Sequence, residues 1–333
     1  MTQKEFLQRL AAELAPLSDT ERARVMDYYN EMICDGMENG KSEQEMVDGF
    51  GQPQDVAAQI LAESRCAPAS GEDGSGTGTG ASAGPDVYTA RGIVKKIDIS
   101  ARHTAVELRR VDSGPVKVHF RPCENDRVAV DERNGTFTFR HTVQISIFHW
   151  KALLCGPRTI VVDVPASFEG EISAVTCNAR LEASGIKDLA KARFVTSNAR
   201  LTLRDIDCGD LGAETSNGAA ELYNLRGERC EARTSNAHIT ADGCEFAGAV
   251  RLHTGNGAIR CRDLVSDKIE LRTENASVVA TVVGDMREYA VHSHTSNASN
   301  TLPPELSYPE QSKSIDVSTS NAKIDVHFIQ RRD

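Results

Sequence analysis

A six-residue phrase, Thr-Ser-Asn-Ala-Arg-Leu at Thr196–Leu201, returns in variant form along the C-terminal half of this chain. Its asparagine occurs eight times, at successive steps of 20, 19, 19, 20, 19, 22 and 24 residues. The asparagines are Asn178, Asn198, Asn217, Asn236, Asn256, Asn275, Asn297 and Asn321. A nearly fixed spacing of about twenty residues is typical of a repeat architecture, in which each copy is one structural unit.

Apolar residues occupy every second position on both sides of each asparagine. In the first copy they are Ile172 and Ala174 before Asn178, and Leu181 and Ala183 after it. A period of two predicts two strands that share one buried face and are joined by a corner. One such unit cannot bury its own apolar face, whereas stacked copies can. We therefore predict a single-stranded β-solenoid (β-helix-like) with rungs of about 19–24 residues.

Two columns of polar residues mark the corner that joins the two predicted strands of each copy. A threonine stands two places before every asparagine, namely at Thr176, Thr196, Thr215, Thr234, Thr254, Thr273, Thr295 and Thr319. These threonines are in phase with the buried positions, so we expect them to point inward or to the edge of the corner. The asparagine amides are expected to lie above one another as a structural ladder that satisfies polar groups buried by the corner. An ice-binding surface would need outward threonines, and calcium-type repeats would need a Gly-Gly-x-Gly-x-Asp pattern that does not occur.

Charge and cysteine content exclude several classes of function. The net charge of −10 argues against nonspecific binding of nucleic acid. Residues 1–66 hold six basic and thirteen acidic residues, so most of the negative charge lies at the N-terminal end. The nine cysteines do not have the spacing of a disulfide framework or of a metal site, and we expect them to be small buried hydrophobes in a reducing compartment. No motif for a cofactor is found, and we predict that none is bound.

The sequence also favours a cytoplasmic location, with any membrane association made through a partner. The N-terminus lacks the apolar run of a signal peptide, and no uncharged apolar run of membrane-spanning length occurs. The nearest candidate, Val143 to Cys155, is interrupted by polar residues and is interpreted as a strand and its edge. Phe148 and Trp150 within it leave open a small apolar contact patch.

Residues 1–66 predict a small helical bundle. The first helix covers residues 3–15 and places Phe6, Leu10 and Leu14 on one face. Capping boxes, in which a serine is followed three places later by a glutamate, begin two further helices at Ser18 and Ser42. A turn at residues 51–53 leads into the last helix. A bundle of this size has only marginal stability, so we expect it to be stabilised by a partner protein or by association with further copies of itself.

The motifs of this bundle resemble a known family. They are Tyr28-Tyr29-Asn30-Glu31, then Asp35 to Glu45 with its Gly-Lys-Ser, then Phe50-Gly51-Gln52-Pro53. Together they are similar to the HAAS-type helical signalling domain of bacteria. The resemblance implies a regulatory domain associated with membrane-stress operons and with protein partners, and it implies no catalytic residues.

The remaining chain divides into a linker and a β-rich part. Residues 67–86 are rich in glycine and are expected to be a flexible linker with a reach of about 25 Å. Residues 87–170 predict irregular strands that cap the solenoid, and residues 171–329 predict its repeats. The segments Lys95–Ile99 and Ile160–Pro165, followed by the Thr-x-Asn repeats, resemble the toastrack β-strand-repeat family, whose name also refers to adhesins. That resemblance implies a β-solenoid-like scaffold beside envelope-stress signalling proteins.

The last repeats carry an expectation of their own. The two final steps lengthen to 22 and 24 residues, and Pro303 to Pro309 are expected to form a protruding loop. Residues 330–333, three of which are charged, are expected to shield the final strand edge against aggregation.

A search for catalytic or binding groups yields two weak candidates. Acidic residues gather at Asp205, Asp207 and Asp210, and they are followed by Glu214 and Glu231 on outward positions. The outward position three places before the asparagine holds Arg233, His253, Arg272 and His294 on four consecutive rungs, a candidate binding stripe for an anionic partner or a glycan. Solvated surface charge is the simpler interpretation of both sets.

The sequence thus predicts a non-enzymatic protein with a helical bundle that docks a regulator or membrane signalling protein. Its β-solenoid would present a binding or self-assembly surface. The alternatives are a carbohydrate-binding or polysaccharide-acting β-helix protein, which would need a groove of carboxylates, and an extracellular adhesin, which would need a signal peptide or an anchor.

Overall fold

The computed structural model describes residues 1–19, 22–23, 25–27, 29–30, 33, 42–64, 86–122, 126–143, 158–308 and 311–330. Five features predicted from the sequence fall wholly or largely outside these residues: the Ser18–Glu21 capping box, the Asp35–Lys41 segment, the linker at 67–86, the Val143–Cys155 segment with Phe148 and Trp150, and residues 330–333 at the end of the sequence. The chain forms two compact units, one with helices and one with strands.

The helical unit contains α1 (Gln3–Glu13), α2 (Glu43–Phe50) and α3 (Pro53–Ser64), and described residues between 19 and 33 are helical as well. The predicted capping box at Ser42 is confirmed, because the Ser42 hydroxyl accepts from the Glu45 N–H at 3.2 Å while the Glu45 carboxylate accepts from the Ser42 N–H at 2.8 Å. A second box at Thr2, which was not predicted from the sequence, begins α1. Three aromatic rings hold the core of this unit together, with Phe6 5.8 Å from Tyr29 and 5.4 Å from Phe50 between ring centroids.

The β-unit contains twenty-two strands among the described residues. They are β1 (Asp86–Thr89), β2 (Lys96–Ala101), β3 (Ala105–Val111), β4 (Lys117–Phe120), β5 (Asp126–Arg133), β6 (Thr136–Val143), β7 (Thr159–Pro165), β8 (Glu171–Val175), β9 (Leu181–Ser184), β10 (Leu189–Val195), β11 (Leu201–Arg204), β12 (Asp207–Glu214), β13 (Ala220–Tyr223), β14 (Arg226–Thr234), β15 (Ile239–Asp242), β16 (Glu245–Thr254), β17 (Ile259–Thr273), β18 (Val278–Val283), β19 (Tyr289–Thr295), β20 (Glu305–Leu306), β21 (Lys313–Thr319) and β22 (Ile324–Ile329).

The predicted β-solenoid is confirmed. In seven of the eight repeats the strand before the asparagine joins one sheet, which we call the front sheet, and the strand after it joins the back sheet. The Asn297 repeat contributes β19 to the front sheet but only an isolated bridge, from Asn300 to Ile324, on the back side. Neighbouring rungs pair in parallel, and the register aligns equivalent positions, as in Ala192 with Leu211 and Leu201 with Ala220. The alternating apolar residues of both sheets meet in one continuous core, in which Leu201, Leu203 and Phe194 are fully buried.

Each rung turns at two different corners. The first is the predicted Thr-x-Asn corner. The second follows the back-sheet strand and uses a left-handed residue, with φ of 53° at Asp205, 52° at Asn224 and 52° at Asp263, and glycine at the equivalent positions 185 and 243. Aspartate, asparagine and glycine adopt this conformation more readily than other residues. The residue after each left-handed position, such as Ile206 or Leu225, is fully buried and forms a further apolar column.

The spatial order of the rungs differs from the chain order at both ends. At the C-terminal end β21 pairs with β17 on one side and β19 on the other, so the last repeat lies between the two that precede it. At the other end β2 lies between β6 and β8, and β3 lies between β7 and β9. The expectation that the final repeat forms the exposed edge is therefore wrong, whereas residues 331–333, which were expected to shield that edge, lie outside the described residues. The edge of the front sheet is instead β19 with the short antiparallel strand β20.

Candidate functional site

The Thr-x-Asn corner separates a buried column from an exposed one. Seven of the eight predicted threonines are buried, and each hydroxyl donates to backbone carbonyls of a neighbouring rung. Thr254, for example, donates to the Ala237 carbonyl at 2.9 Å and accepts from the Gly257 N–H at 3.1 Å. Thr295, on the outermost rung, is half-buried and donates to the Ala322 carbonyl at 2.9 Å. The threonine hydroxyls therefore satisfy the backbone groups that the corner buries.

The asparagines form a continuous chain of amide hydrogen bonds on the outside of the corner. From Asn198 onward each Nδ2 donates to the Oδ1 of an asparagine on a neighbouring rung, at 2.6 Å from Asn217 to Asn198 and at 2.8 Å from Asn256 to Asn236. Asn321 stands between Asn275 and Asn297 in this chain because its rung is inserted there. All but Asn178 are exposed, so the expectation that these amides satisfy buried groups is wrong. His103 takes the asparagine position of the β2–β3 rung and continues the chain, with Nδ1 3.2 Å from Asn178 Nδ2.

The candidate stripe of basic residues lies on the outer surface of the front sheet, but it is interrupted. Arg233, His253 and Arg272 are on adjacent rungs. Ser318 of the inserted strand β21 lies between Arg272 and His294, so the expectation of four consecutive rungs is wrong. Arg233 also forms an ion pair with Glu231 on its own strand. The stripe is thus a short, partly neutralised patch.

The acidic candidates are dispersed, and all but Asp205 form ion pairs with basic residues. Asp207 accepts from Lys187 Nζ at 3.2 Å, and Glu214 accepts from Arg193 at 2.8 Å. Asp210 accepts two hydrogen bonds from Arg229, at 2.6 and 3.1 Å, and these bonds hold the pKa of its carboxyl below the ordinary value. Asp205 occupies a left-handed corner and accepts from Asn224 Nδ2 at 3.1 Å. A glycosidase needs two carboxyl groups facing each other, one of them with a raised pKa, and these residues do not form such a pair.

Four cysteines lie in the core of the solenoid as unpaired thiols, namely Cys208, Cys230, Cys244 and Cys261. Burial raises the pKa of Cys208 to about 12 and that of Cys244 to about 11. A reactive or metal-binding cysteine needs a lowered pKa, so these thiols behave as small apolar side chains. Within the described ranges no group of three or more His, Cys, Asp or Glu residues could hold a metal ion.

Two clusters of charged residues at the N-terminal end of the solenoid were not found in the sequence. In the first, Asp163 on β7 accepts from Arg109 Nε at 2.7 Å and lies 2.6 Å from His119 Nε2. Burial acts to raise the pKa of Asp163, but the hydrogen bonds from Arg109 and His119 outweigh it and leave the pKa below the ordinary value. The partners are 54 and 44 residues away in sequence, so no local pattern could indicate the cluster.

The second cluster is buried between β5 and β6. The Asp126 side chain contacts His141 Nε2 at 3.0 Å and forms an ion pair with Arg158. The His141 ring packs edge-on against Phe120, with 4.7 Å between ring centroids. Each cluster holds a single carboxylate surrounded by basic groups, an arrangement that neutralises charge and ties strands together.

A cavity of about 780 Å³ lies at the N-terminal end of the solenoid, between β1 and the β5–β6 hairpin. Three exposed apolar side chains line it, namely Val87, Ile93 and Val130, with exposed fractions of 50%, 85% and 41%. Polar residues, among them Arg91 and Asp131, supply the larger part of the lining surface. Exposed apolar groups gathered at one place mark contact sites more often than catalytic sites. This mouth of the core, rather than any cluster of polar residues, is the candidate functional site of the β-unit.

The fold and these sites define a repeat-built β-solenoid joined to a small helical domain. The toastrack family model, described as Toastrack DUF4097, matches residues 94–331, and the chain belongs to this family. The HAAS family model matches residues 5–59. Both resemblances inferred from the sequence are thereby confirmed.

A crystal structure of "a putative cell adhesion protein" from Clostridium sporogenes covers 73% of this chain and 98% of its own, at 7% sequence identity and a TM-score of 0.25. A TM-score this low does not establish a shared fold. No curated protein shows significant sequence similarity to the chain. Among the described residues, none of the helices has both the length and the apolar character needed to cross a membrane.

Proposed function

We propose that the chain is a non-enzymatic scaffold in bacterial envelope-stress or regulatory signalling. In this proposal the helical domain docks a regulator or a membrane signalling protein, and the β-solenoid presents a rigid surface for binding or self-association. The membership in the toastrack family and the HAAS match support a regulatory protein without catalytic residues.

The observation that carries the proposal is the distribution of polar and apolar groups on the solenoid. The candidate carboxylates Asp207, Asp210 and Glu214 are each held by a basic side chain. Exposed apolar residues, in contrast, gather at the N-terminal mouth. Such a surface is suited to contact with a macromolecule rather than to acid–base chemistry.

The charge of the helical domain indicates the kind of partner. Residues 1–66 carry a formal charge of −7, from six basic and thirteen acidic residues, and Glu13 and Asp55 are exposed. Because complementary charge speeds and orients association, we expect a partner with a basic surface.

The proposal is tested by affinity purification from the native cell, with the full chain, residues 1–66 and residues 87–333 as baits. A signalling protein identified with the full chain and with residues 1–66, and then shown to bind as a purified protein, is the expected result. The full chain with Glu13→Lys and Asp55→Lys should bind it more weakly, and with Lys4→Gln it should bind it at least as well. Capture of glycan by residues 87–333 alone, or cleavage of a polysaccharide, would contradict the proposal.

A further inference from the structure

Strand β1 has one open edge at the N-terminal mouth of the solenoid. Among the described residues it pairs with β4 alone. The Ala90 N–H donates to the Val116 carbonyl at 2.9 Å, so this pair and every second pair before it along β1 are the hydrogen-bonded ones. Val87, Thr89 and Arg91 therefore direct their backbone groups to the other side of the strand. Val87 and Thr89 are exposed, and in the described part of the chain no strand pairs with that side.

The next outward N–H along this edge already holds a carboxylate. Arg91 donates its backbone N–H to Glu132 Oε2 at 2.9 Å, and Gly92 donates its own to Oε1 at 2.6 Å. Glu132 belongs to β5, on the opposite side of the mouth. The lack of a side chain at Gly92 permits this approach, because a Cβ there would lie 2.8 Å from Oε1. Two adjacent N–H groups that bind both oxygens of one carboxylate form a small anion site.

A peptide strand parallel to β1 would bring its own C-terminal carboxylate to this anion site. In a parallel pair each outward residue donates its N–H to one residue of the neighbouring strand and accepts at its C=O from the residue two places further on. The N–H groups of Val87, Thr89 and Arg91 would thus bond to every second carbonyl of the peptide, and the last of these acceptors is the terminal carboxylate. The Gly92 N–H would bind the second carboxylate oxygen, as it now binds that of Glu132.

The same register decides which peptide side chains enter the mouth. Residues directly opposite each other in a sheet point to the same face. The terminal residue would lie opposite Ala90 and the third-last residue opposite Tyr88, and both of these pack against the core. The mouth on this face also contains Val130, whose side chain is 41% exposed. Apolar residues at these two peptide positions would bury that exposed surface.

We propose that the N-terminal mouth binds the C-terminal end of a partner protein as an added strand on β1, with apolar residues at its last and third-last positions. In the free protein Glu132 occupies the place of the partner's carboxylate, and it leaves when the partner enters. Glu132 is therefore an internal competitor that weakens binding. The inference rests on the proposed function, since it assigns a class of ligand to the binding surface of the β-solenoid, but it does not depend on what the helical domain docks.

Fluorescence anisotropy with the full chain tests the proposal. The probes are fluorescein-labelled pentapeptides of sequence Lys-Thr-X-Thr-X, in which X is valine, leucine, isoleucine or phenylalanine and the C-terminal carboxylate is free. We expect the best of them to bind with a dissociation constant of about 10–100 μM. The same peptides with a C-terminal amide should bind about tenfold more weakly, because the charge-assisted hydrogen bonds to the carboxylate are lost.

Two sites in the chain test the competitor and the added strand separately. If Glu132 occupies the anion site in about nine molecules of ten, Glu132→Ala should bind the free-acid peptides about tenfold more tightly. Thr89→Pro removes one outward N–H of β1 and should abolish binding, whereas the matched control Thr89→Val keeps that N–H and should bind as the wild type does. Proline is tolerated at such a position on an edge strand, and an unchanged circular dichroism spectrum checks that the variant folds.

Several results would overturn the proposal. They are a lack of binding of every free-acid peptide to Glu132→Ala at about 1 mM, equal binding of the acid and amide forms, and equal binding by Thr89→Pro and Thr89→Val. A Glu132→Ala chain that binds no more tightly than the wild type would overturn the competitor role of Glu132. None of these results bears on partner capture by residues 1–66, which tests the proposed function by itself.

Discussion

At the residue scale, the corner phrase combines two kinds of polar contribution that look alike in the sequence. The threonine column and the asparagine column both repeat in every copy, and both bond from rung to rung. Thr254 is fully buried, however, whereas Asn256 is exposed. A buried polar group that loses its partner bears the full cost of desolvation, while an exposed group exchanges its partner for water. The threonines should therefore contribute more to stability.

Substitutions in one rung test this difference. Thr254→Val should lower the free energy of unfolding by about 2 kcal/mol, because it leaves the buried Gly257 N–H without its acceptor. Asn256→Ala should lower it by less than about 1 kcal/mol, since its two amide neighbours can bond to water. Urea denaturation of both variants measures the two values. An asparagine variant that is the less stable of the two would show that the exposed ladder is the main support.

The inward phase of the threonines could be predicted because alternation along a strand fixes the direction of each side chain. The exposure of the asparagines could not be predicted in this way, because side chains at a corner do not alternate in direction as they do along a strand. The left-handed corner was also missed. Its column contains glycine, aspartate and asparagine, as at Gly185, Asp205 and Asn224, and no single residue type repeats there.

At the scale of elements, the ends of the stack are closed by contacts between strands that are distant in the chain. Arg109 on β3 and His119 on β4 both bond to Asp163 on β7, the strand that lies between them. The cluster is on the outer side of the first back-sheet strands, and it links three of them through one carboxylate.

The Asp163 cluster predicts a dependence of stability on pH. Because the folded pKa of Asp163 is below its ordinary value, the carboxylate contributes stability above the unfolded pKa of about 4. That contribution is lost as the pH falls through the folded pKa. Asp163→Asn should thus be less stable than the wild type at pH 6, and the difference should shrink toward about pH 3. Thermal melting across this range measures it, and a constant difference would argue against a role for the charge.

The spatial order of the rungs could not be read from the sequence either. All repeats carry the same alternation, so the pattern fits any order of stacking. The only signal was the lengthening of the last two steps to 22 and 24 residues. In the structure the chain uses this extra length to pass over the β19 rung and return beneath it as β21. The extra length of the last two repeats by itself predicts only a loop. The strand pairing of β21 is needed to show that the last repeat is inserted between the two that precede it.

At the scale of the whole β-unit, the rung formed by β2 and β3 and the rung formed by β21 and β22 are both interior. Strands β2 and β3 have neighbours on both sides, and so do β21 and β22, which are the last strands of the chain. Repeat arrays tend to open from their ends, since each rung contacts only its neighbours. Because β21 and β22 are interior, we expect local unfolding at this end to begin at the outermost strands β19 and β20, rather than at the last strands of the chain.

Hydrogen exchange of backbone amides, measured by mass spectrometry on the full chain, tests this arrangement most directly. Exchange reports local opening, so outermost strands lose protection before interior ones. We expect the amides of β21 (Lys313–Thr319) to exchange more slowly than those of β19 (Tyr289–Thr295), although β21 is nearer the end of the chain. Faster exchange in β21 than in β19 would mean that the rungs stack in chain order, and it would contradict the insertion of the last repeat between its two predecessors.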